Sequence, residues 1–230
     1  LRMDDLLPEA VEALRLDGAL YGVPFAAYTD VMYYNKTLVD DAPFLLDELL
    51  DIAQEGHRSA WPTDFYHAYW GIQAFDGQVL NEDGSLVVDP GFVAWLEWLD
   101  NAQKEPTILF NPVYDESFNL FTAGDAASFV GTSFDLPVLE REVGAENLGV
   151  AVLPRDLNAG GSVLELETLA VNRNSTEREL AIELVRFFIN NAQQRRIALS
   201  NIGQIPMSRS VIFDEQLAPV TATLLRQSRY

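Results

Sequence analysis

No cysteine occurs in this sequence, which excludes disulfides, thiolate metal sites and thiol nucleophiles and leaves the redox compartment open. The two histidines, His57 and His67, stand at a spacing that fits no metal-ligand pattern, so neither a metal nor a cofactor is expected. Basic residues are scarce: 15 Lys and Arg face 35 Asp and Glu. The resulting formal charge of -20 opposes any grip on phosphate backbones or anionic lipid, and nucleic acid is not an expected partner. No run of about 18 apolar residues is present to span a bilayer. The opening "LRMDDLLPEAVEAL" lacks the succession of charged, apolar and small residues that marks a secretion leader; either there is none or the front of the protein is missing.

What is present is the composition of a globular chain. Hydrophobic residues make up 48% of 230, enough for a sizeable core in one large domain or two lobes. "DDLLPEAVEALRLDG" predicts a short helix stopped by Gly18, and "FLLDELLDIAQEG" a second one closed by Gly56. "ALYGVPF" and "DVMYYNK" predict two short strands; alternation sends Tyr33 and Tyr34 to opposite faces, with at least one of them in the core. An aromatic helical segment over 64–75 is followed by a hairpin around "NEDGS". "GFVAWLEWLDNAQKE" predicts a packed helix with Phe92, Trp95, Leu96 and Leu99 on its apolar face. Strands are expected in "ASFVG", "LGVAVLP" and "ETLAVNR". "TERELAIELVRFFINNAQQRRIAL" reads as one helix capped by Ser175 or Thr176, and "DEQLAPVTATLLRQS" as a last helix interrupted near Pro219. Strands alternating with helices predict an α/β fold with partly parallel sheets.

A sugar presents apolar C–H faces and hydroxyls, so its site needs aromatic rings for stacking and carboxylates or amides for hydrogen bonds. "WPTDFYHAYW" offers that mixture. Helical spacing puts Phe65, Tyr69 and Ile72 on one face, read as core, and leaves Trp61, Asp64, Tyr66, His67 and Trp70 between packing and a ligand cleft. In "SVLELETLAV" Glu165 and Glu167 alternate with leucines, so both carboxylates point to one side of a strand, towards solvent or a ligand. Paired carboxylates also admit a glycoside hydrolase, with Asp64 and either Glu165 or Glu167 as the pair. Acids are abundant enough that some pair always exists, and no nucleophile elbow, phosphate loop or dinucleotide fingerprint is present.

Several stretches, in this order, resemble the extracellular solute-binding proteins of ABC importers, specifically the maltose-binding-protein-like, carbohydrate-binding group. They are "YGVPFAAYTDVMYYNKTLV", "DGSLVVDPGFVAWLEWLDNAQKE", "SFNLFTAGDAASFVGTSFDL", "LGVAVLPRD", "LETLAVNRNSTERELAIELVRFFI" and "NIGQIPMSRS". The resemblance implies a type II periplasmic-binding-protein-like fold of two lobes joined by a hinge, with one lobe incomplete here because family members are considerably longer. Residues 1–29 and 167–215 would belong to the first lobe and 30–166 to the second, with 216–230 a helix returning to the second lobe.

It further implies a monomer, secreted or lipid-anchored outside the cytoplasm, that captures a sugar in an interlobe cleft and delivers it to ABC permease subunits in the membrane, without catalysis. A sensor or adhesion domain derived from the same fold is the other non-enzymatic alternative. By family position Tyr28 and Asp30 fall at the first crossover and Glu165 and Glu167 at the second, among cleft residues. The family often carries a tryptophan after the Gly of "FVG". Here Thr132, Ser133 and Phe134 follow, so the stacking ring is lost or moved to Phe134.

Overall fold

The computed structural model describes residues 3–81, 83–214 and 217–228. Pro8, whose missing N–H costs nothing in a first helical turn, opens α1 (Pro8–Glu12). The expected helix stop at Gly18 is instead a hairpin turn. Asp17 and Gly18 both take positive φ, 51° and 76°, and join β1 (Arg15–Leu16) to β2 (Ala19–Leu20). β3 (Val23–Tyr28) and β4 (Asp30–Asn35) follow, separated only by Thr29. Tyr33 is fully buried and Tyr34 half-buried, as alternation requires.

Beyond β4 come α2 (Leu46–Gln54), β5 (Ser59–Pro62), α3 (Phe65–Ala68), α4 (Trp70–Ala74), α5 (Pro90–Ala102), β6 (Ile108–Asn111), α6 (Tyr114–Thr122) and β7 (Ser128–Thr132). A 3-10 turn (Ser133–Asp135) leads into α7 (Leu136–Leu139), a π turn (Glu140–Gly144) and β8 (Leu148–Ala151). The chain then forms β9 (Glu165–Leu169), α8 (Arg178–Phe188), α9 (Asn191–Leu199), β10 (Ile205–Pro206), α10 (Arg209–Asp214) and α11 (Pro219–Gln227).

Four further sequence expectations change. The long C-terminal helix is two, because the Asn190 side chain accepts from Gln193 N at 3.0 Å and caps a new start. Ser175 bonds Glu177 N at 3.2 Å but does not cap α8. Pro219 begins α11 rather than interrupting it. On α5, Trp95 is buried but Leu96 is 49% exposed, since the helix turns its Trp95–Leu99 side to the sheet. Around "NEDGS" a Leu80–Leu86 bridge closes a small loop through Gly84, while Glu82 lies outside the described residues, as do residues 215–216 and 229–230 of the expected last helix and its approach.

The chain divides into two compact units: residues up to Tyr28 with Leu164–Leu225, and Thr29–Val163 with the last turn of α11 from Arg226. In the first, antiparallel β10-β3-β9 form a three-stranded sheet, with Tyr28 opposite Glu165 and Ala27 opposite both Leu166 and Ile205. In the second, the order is β6-β5-β7-β4-β8: β5 runs parallel to β6 and β7, and β4 antiparallel to β7 and β8. All four tryptophans lie in this unit and meet in one cluster under the sheet. Trp61 stacks on Trp98 at 5.7 Å, Trp95 on Trp98 at 5.3 Å, and Trp70 meets Trp61 at 5.4 Å and Trp95 at 5.1 Å.

Candidate functional site

In the five-stranded sheet β5 connects towards β6 on one side, while β7, on its other side, connects away towards β8. The loops after β5 and β7 therefore part at their C-terminal ends, the position where open α/β sheets leave room for a ligand. The segments leaving β5, β6 and β7 bring together side chains from distant parts of the sequence.

After β5, Asp64 caps α3: its Oδ1 accepts from His67 N at 3.2 Å, and its two oxygens stand 3.0 and 2.9 Å from His67 Nδ1. A carboxylate on Nδ1 fixes the orientation of the imidazole ring. After β6, Tyr114 begins α6 and lays its ring 4.3 Å from that of His67. After β7, Asp135 accepts the Tyr114 hydroxyl at 2.5 Å, and the same hydroxyl accepts from Thr132 N at 3.0 Å.

Burial and the adjacent Asp135 push the Tyr114 phenol far above its ordinary range, so it remains a donor at any working pH. Burial likewise raises the Asp135 carboxyl, against the lowering effects of the Tyr114 hydroxyl and nearby His67. Beside this network Tyr66 is 37% and Phe134 62% exposed, which supplies open aromatic surface next to hydrogen-bonding groups.

The three-stranded sheet has its own polar edge. Tyr28, at the end of β3, donates its hydroxyl to Glu167 Oε2 at 3.2 Å, and Gln204 Nε2 donates to Tyr28 Oη at 2.9 Å and to Glu167 Oε2 at 2.6 Å. Burial raises the Tyr28 phenol; the Gln204 bond opposes the rise, while Glu167 and Glu165 add to it. Glu165 itself is exposed.

Of the residues singled out in the sequence, Asp64, Tyr66, His67 and Phe134 share the edge of the second unit, and Tyr28, Glu165 and Glu167 that of the first. The others go elsewhere. Trp61 and Trp70, proposed as stacking plates, are 2% and 1% exposed and their ring faces are covered by other tryptophans. Phe65, assigned to the core, is 60% exposed. Its helix, α3, buries none of its residues, and the core contacts of this segment come from Tyr69, Trp70 and Ile72 instead. Asp30 and Ser133 are 3% and 0% exposed and are held by the internal hydrogen bonds of the second unit. Sequence reasoning missed Tyr114, Asp135 and Gln204. The only local signals were an aromatic residue just past a strand, an acid in the "TSFD" turn and an amide just ahead of β10.

Changing Tyr114 to Phe is expected to cost about 1–3 kcal/mol, because Thr132 N–H loses its acceptor. It should also raise the Asp135 pKa further. A carboxyl that titrates above its unfolded value contributes stability that is fully present below the ordinary carboxylate range and is lost as pH rises through the raised value. The substitution therefore moves this loss to higher pH. Carboxyl NMR titration reads the shift, and a value unchanged or lowered would contradict the arrangement.

A family model described as bacterial extracellular solute-binding protein matches residues 2–222. The chain is 26% identical to the maltotriose-binding protein of Pyrococcus abyssi over 93% of its own length and 51% of that protein's. It is 22% identical to the galactooligosaccharide-binding protein of Bacillus subtilis over 96% of its own length and 58% of that protein's. Among solved structures it superposes on the GacH receptor of Streptomyces glaucescens with a TM-score of 0.85 at 20% identity, covering 100% of this chain and 64% of that one. On maltose-bound T. maritima MalE3 the TM-score is 0.80 at 25% identity, with 99% and 66% covered. The chain thus spans about half the length of the curated relatives it matches. The fold is that of the maltose-binding-type receptors. With the model match running over nearly all of its residues, the chain belongs to the bacterial extracellular solute-binding protein family.

Proposed function

We propose that the protein is the carbohydrate-capturing component of an ABC importer, working outside the cytoplasm and handing its sugar to membrane permease subunits. The observation that carries this reading is the edge after β5, β6 and β7, where exposed Tyr66 and Phe134 stand beside Asp64, His67, Tyr114 and Asp135. Aromatic faces next to carboxylates and an imidazole suit the alternating C–H and hydroxyl surface of a sugar. The names of the relatives above, which bind maltotriose and galactooligosaccharide, favour the same class. The first lobe of the family is assigned to the unit formed by the residues up to Tyr28 and Leu164–Leu225.

A hydrolase needs an acid available to protonate a leaving group. Asp64 is instead committed to the α3 N-terminus and to His67, so the protein is read as a binder and not an enzyme.

The reading is tested on the full-length protein by thermal shift with maltose, maltotriose and a galactooligosaccharide. A sugar at 100 times its dissociation constant should add about 2.7 kcal/mol of stability. No shift with any sugar, together with a shift for peptides or amino acids, would remove the carbohydrate claim.

A further inference from the structure

Thr29 is the first residue of the second unit and has every polar group occupied within that unit. Its N–H donates to Ser133 Oγ at 3.2 Å, its carbonyl accepts from Ser133 N at 2.8 Å, and its hydroxyl meets Ser162 Oγ at 2.5 Å. Ser162 Oγ also accepts from Asp30 N at 3.1 Å. Thr29 is 2% and Ser133 0% exposed, so these bonds are shielded from competing water. Ser162 lies one residue before Val163, where the chain leaves the second unit, while Thr29 lies where it enters. Ser133 opens the 3-10 turn that carries Phe134 and Asp135. One hydroxyl cluster therefore joins the entering segment, the leaving segment and the turn bearing two residues of the candidate site.

We infer that Ser162, acting through Thr29 and Ser133, is a positioning residue that makes the segments entering and leaving the second unit and the Phe134–Asp135 turn move as one body during ligand capture. This rests on the sugar-binding reading for its consequence but not for its geometry. A backbone amide without its buried acceptor opens more readily, and the opening spreads to whatever that bond held in place. A threonine retains the hydroxyl while an alanine does not.

The test uses the full-length protein with Ser162→Ala and Ser162→Thr. In the ligand-free state, hydrogen exchange at the amides of Thr29, Asp30 and Ser133 through Asp135 should speed up about fivefold or more in the alanine variant and return towards wild type in the threonine variant. Amides of β4 beyond Val31 should be unchanged. Acceleration confined to Asp30, whose own acceptor is removed, would overturn the inference. With maltotriose as probe, the alanine variant should bind about fivefold or more weakly, with affinity again rescued by threonine. Wild-type affinity in Ser162→Ala would also overturn it. If wild-type protein does not bind maltotriose, the choice of that ligand fails, and the exchange measurement alone decides for or against the clamp.

Discussion

Replacing Trp70 by alanine is expected to destabilise the second unit by about 3–5 kcal/mol, the range for removing a buried large aromatic side chain. The ring is 1% exposed and sits between Trp61 and Trp95. Its surroundings are rigid: a Cβ on Gly160 would stand 2.6 Å from the Trp70 ring, and one on Gly71 2.2 Å from that of Trp95. Walls packed this closely collapse little, so most of the cavity cost remains. Urea unfolding followed by tryptophan fluorescence reads the second unit selectively, because all four tryptophans are in it. The same variant separates the two roles considered for this residue. A stacking plate would lose ligand affinity and spare stability; a core residue does the reverse. A loss of stability under about 1 kcal/mol would contradict the packing described.

Replacing Gln194 by leucine is expected to cost the first unit at least about 3 kcal/mol, although the substitution is close in volume and more apolar. Gln194 is fully buried on α9. Its Nε2 donates to the carbonyls of Phe25 at 2.7 Å and Phe188 at 3.3 Å, and its Oε1 accepts from Met207 N at 2.6 Å and Ser208 N at 3.0 Å. One amide thus connects β3, the end of α8 and the segment following β10. Met207 and Ser208 are themselves 0% exposed, so their N–H groups have no water to turn to once the acceptor is gone.

Hydrophobic bookkeeping alone would predict a neutral or stabilising change; the orphaned backbone groups decide the sign. Glutamate at this position should be worse at neutral pH than in acid, since a buried carboxylate cannot donate to the Phe25 carbonyl whereas its protonated form can. Circular dichroism melts across pH would show this as stability lost with rising pH. A leucine variant as stable as wild type would show that these bonds contribute nothing.

Local chemistry made much of the fold legible. The two strands that flank Thr29, the buried Tyr33 and the helix ending before Gly56 all follow from alternation and a glycine at φ 97°. Where the sequence misled, a local pattern had more than one tertiary solution. Helical spacing groups Phe65 with Tyr69 and Ile72; Ile72 is buried and Tyr69 packs against the core, but the helix breaks after Ala68 and Phe65 is left exposed. "RFFINNAQQ" looks continuous until Asn190 turns its side chain back on Gln193 N.

The sequence by itself determined the family, through short motifs in a fixed order, and the acidic net charge and the absence of thiol chemistry, because these depend on which residues are present and in what order. Only the tertiary structure decided the candidate site. Tyr114 and Asp135 are 21 positions apart, and Tyr28 and Gln204 176, and each pair meets only because β7 lies beside β5 and β10 beside β3. Such neighbours are set by strand order and register over long loops, whose closure leaves no periodicity in the sequence to read.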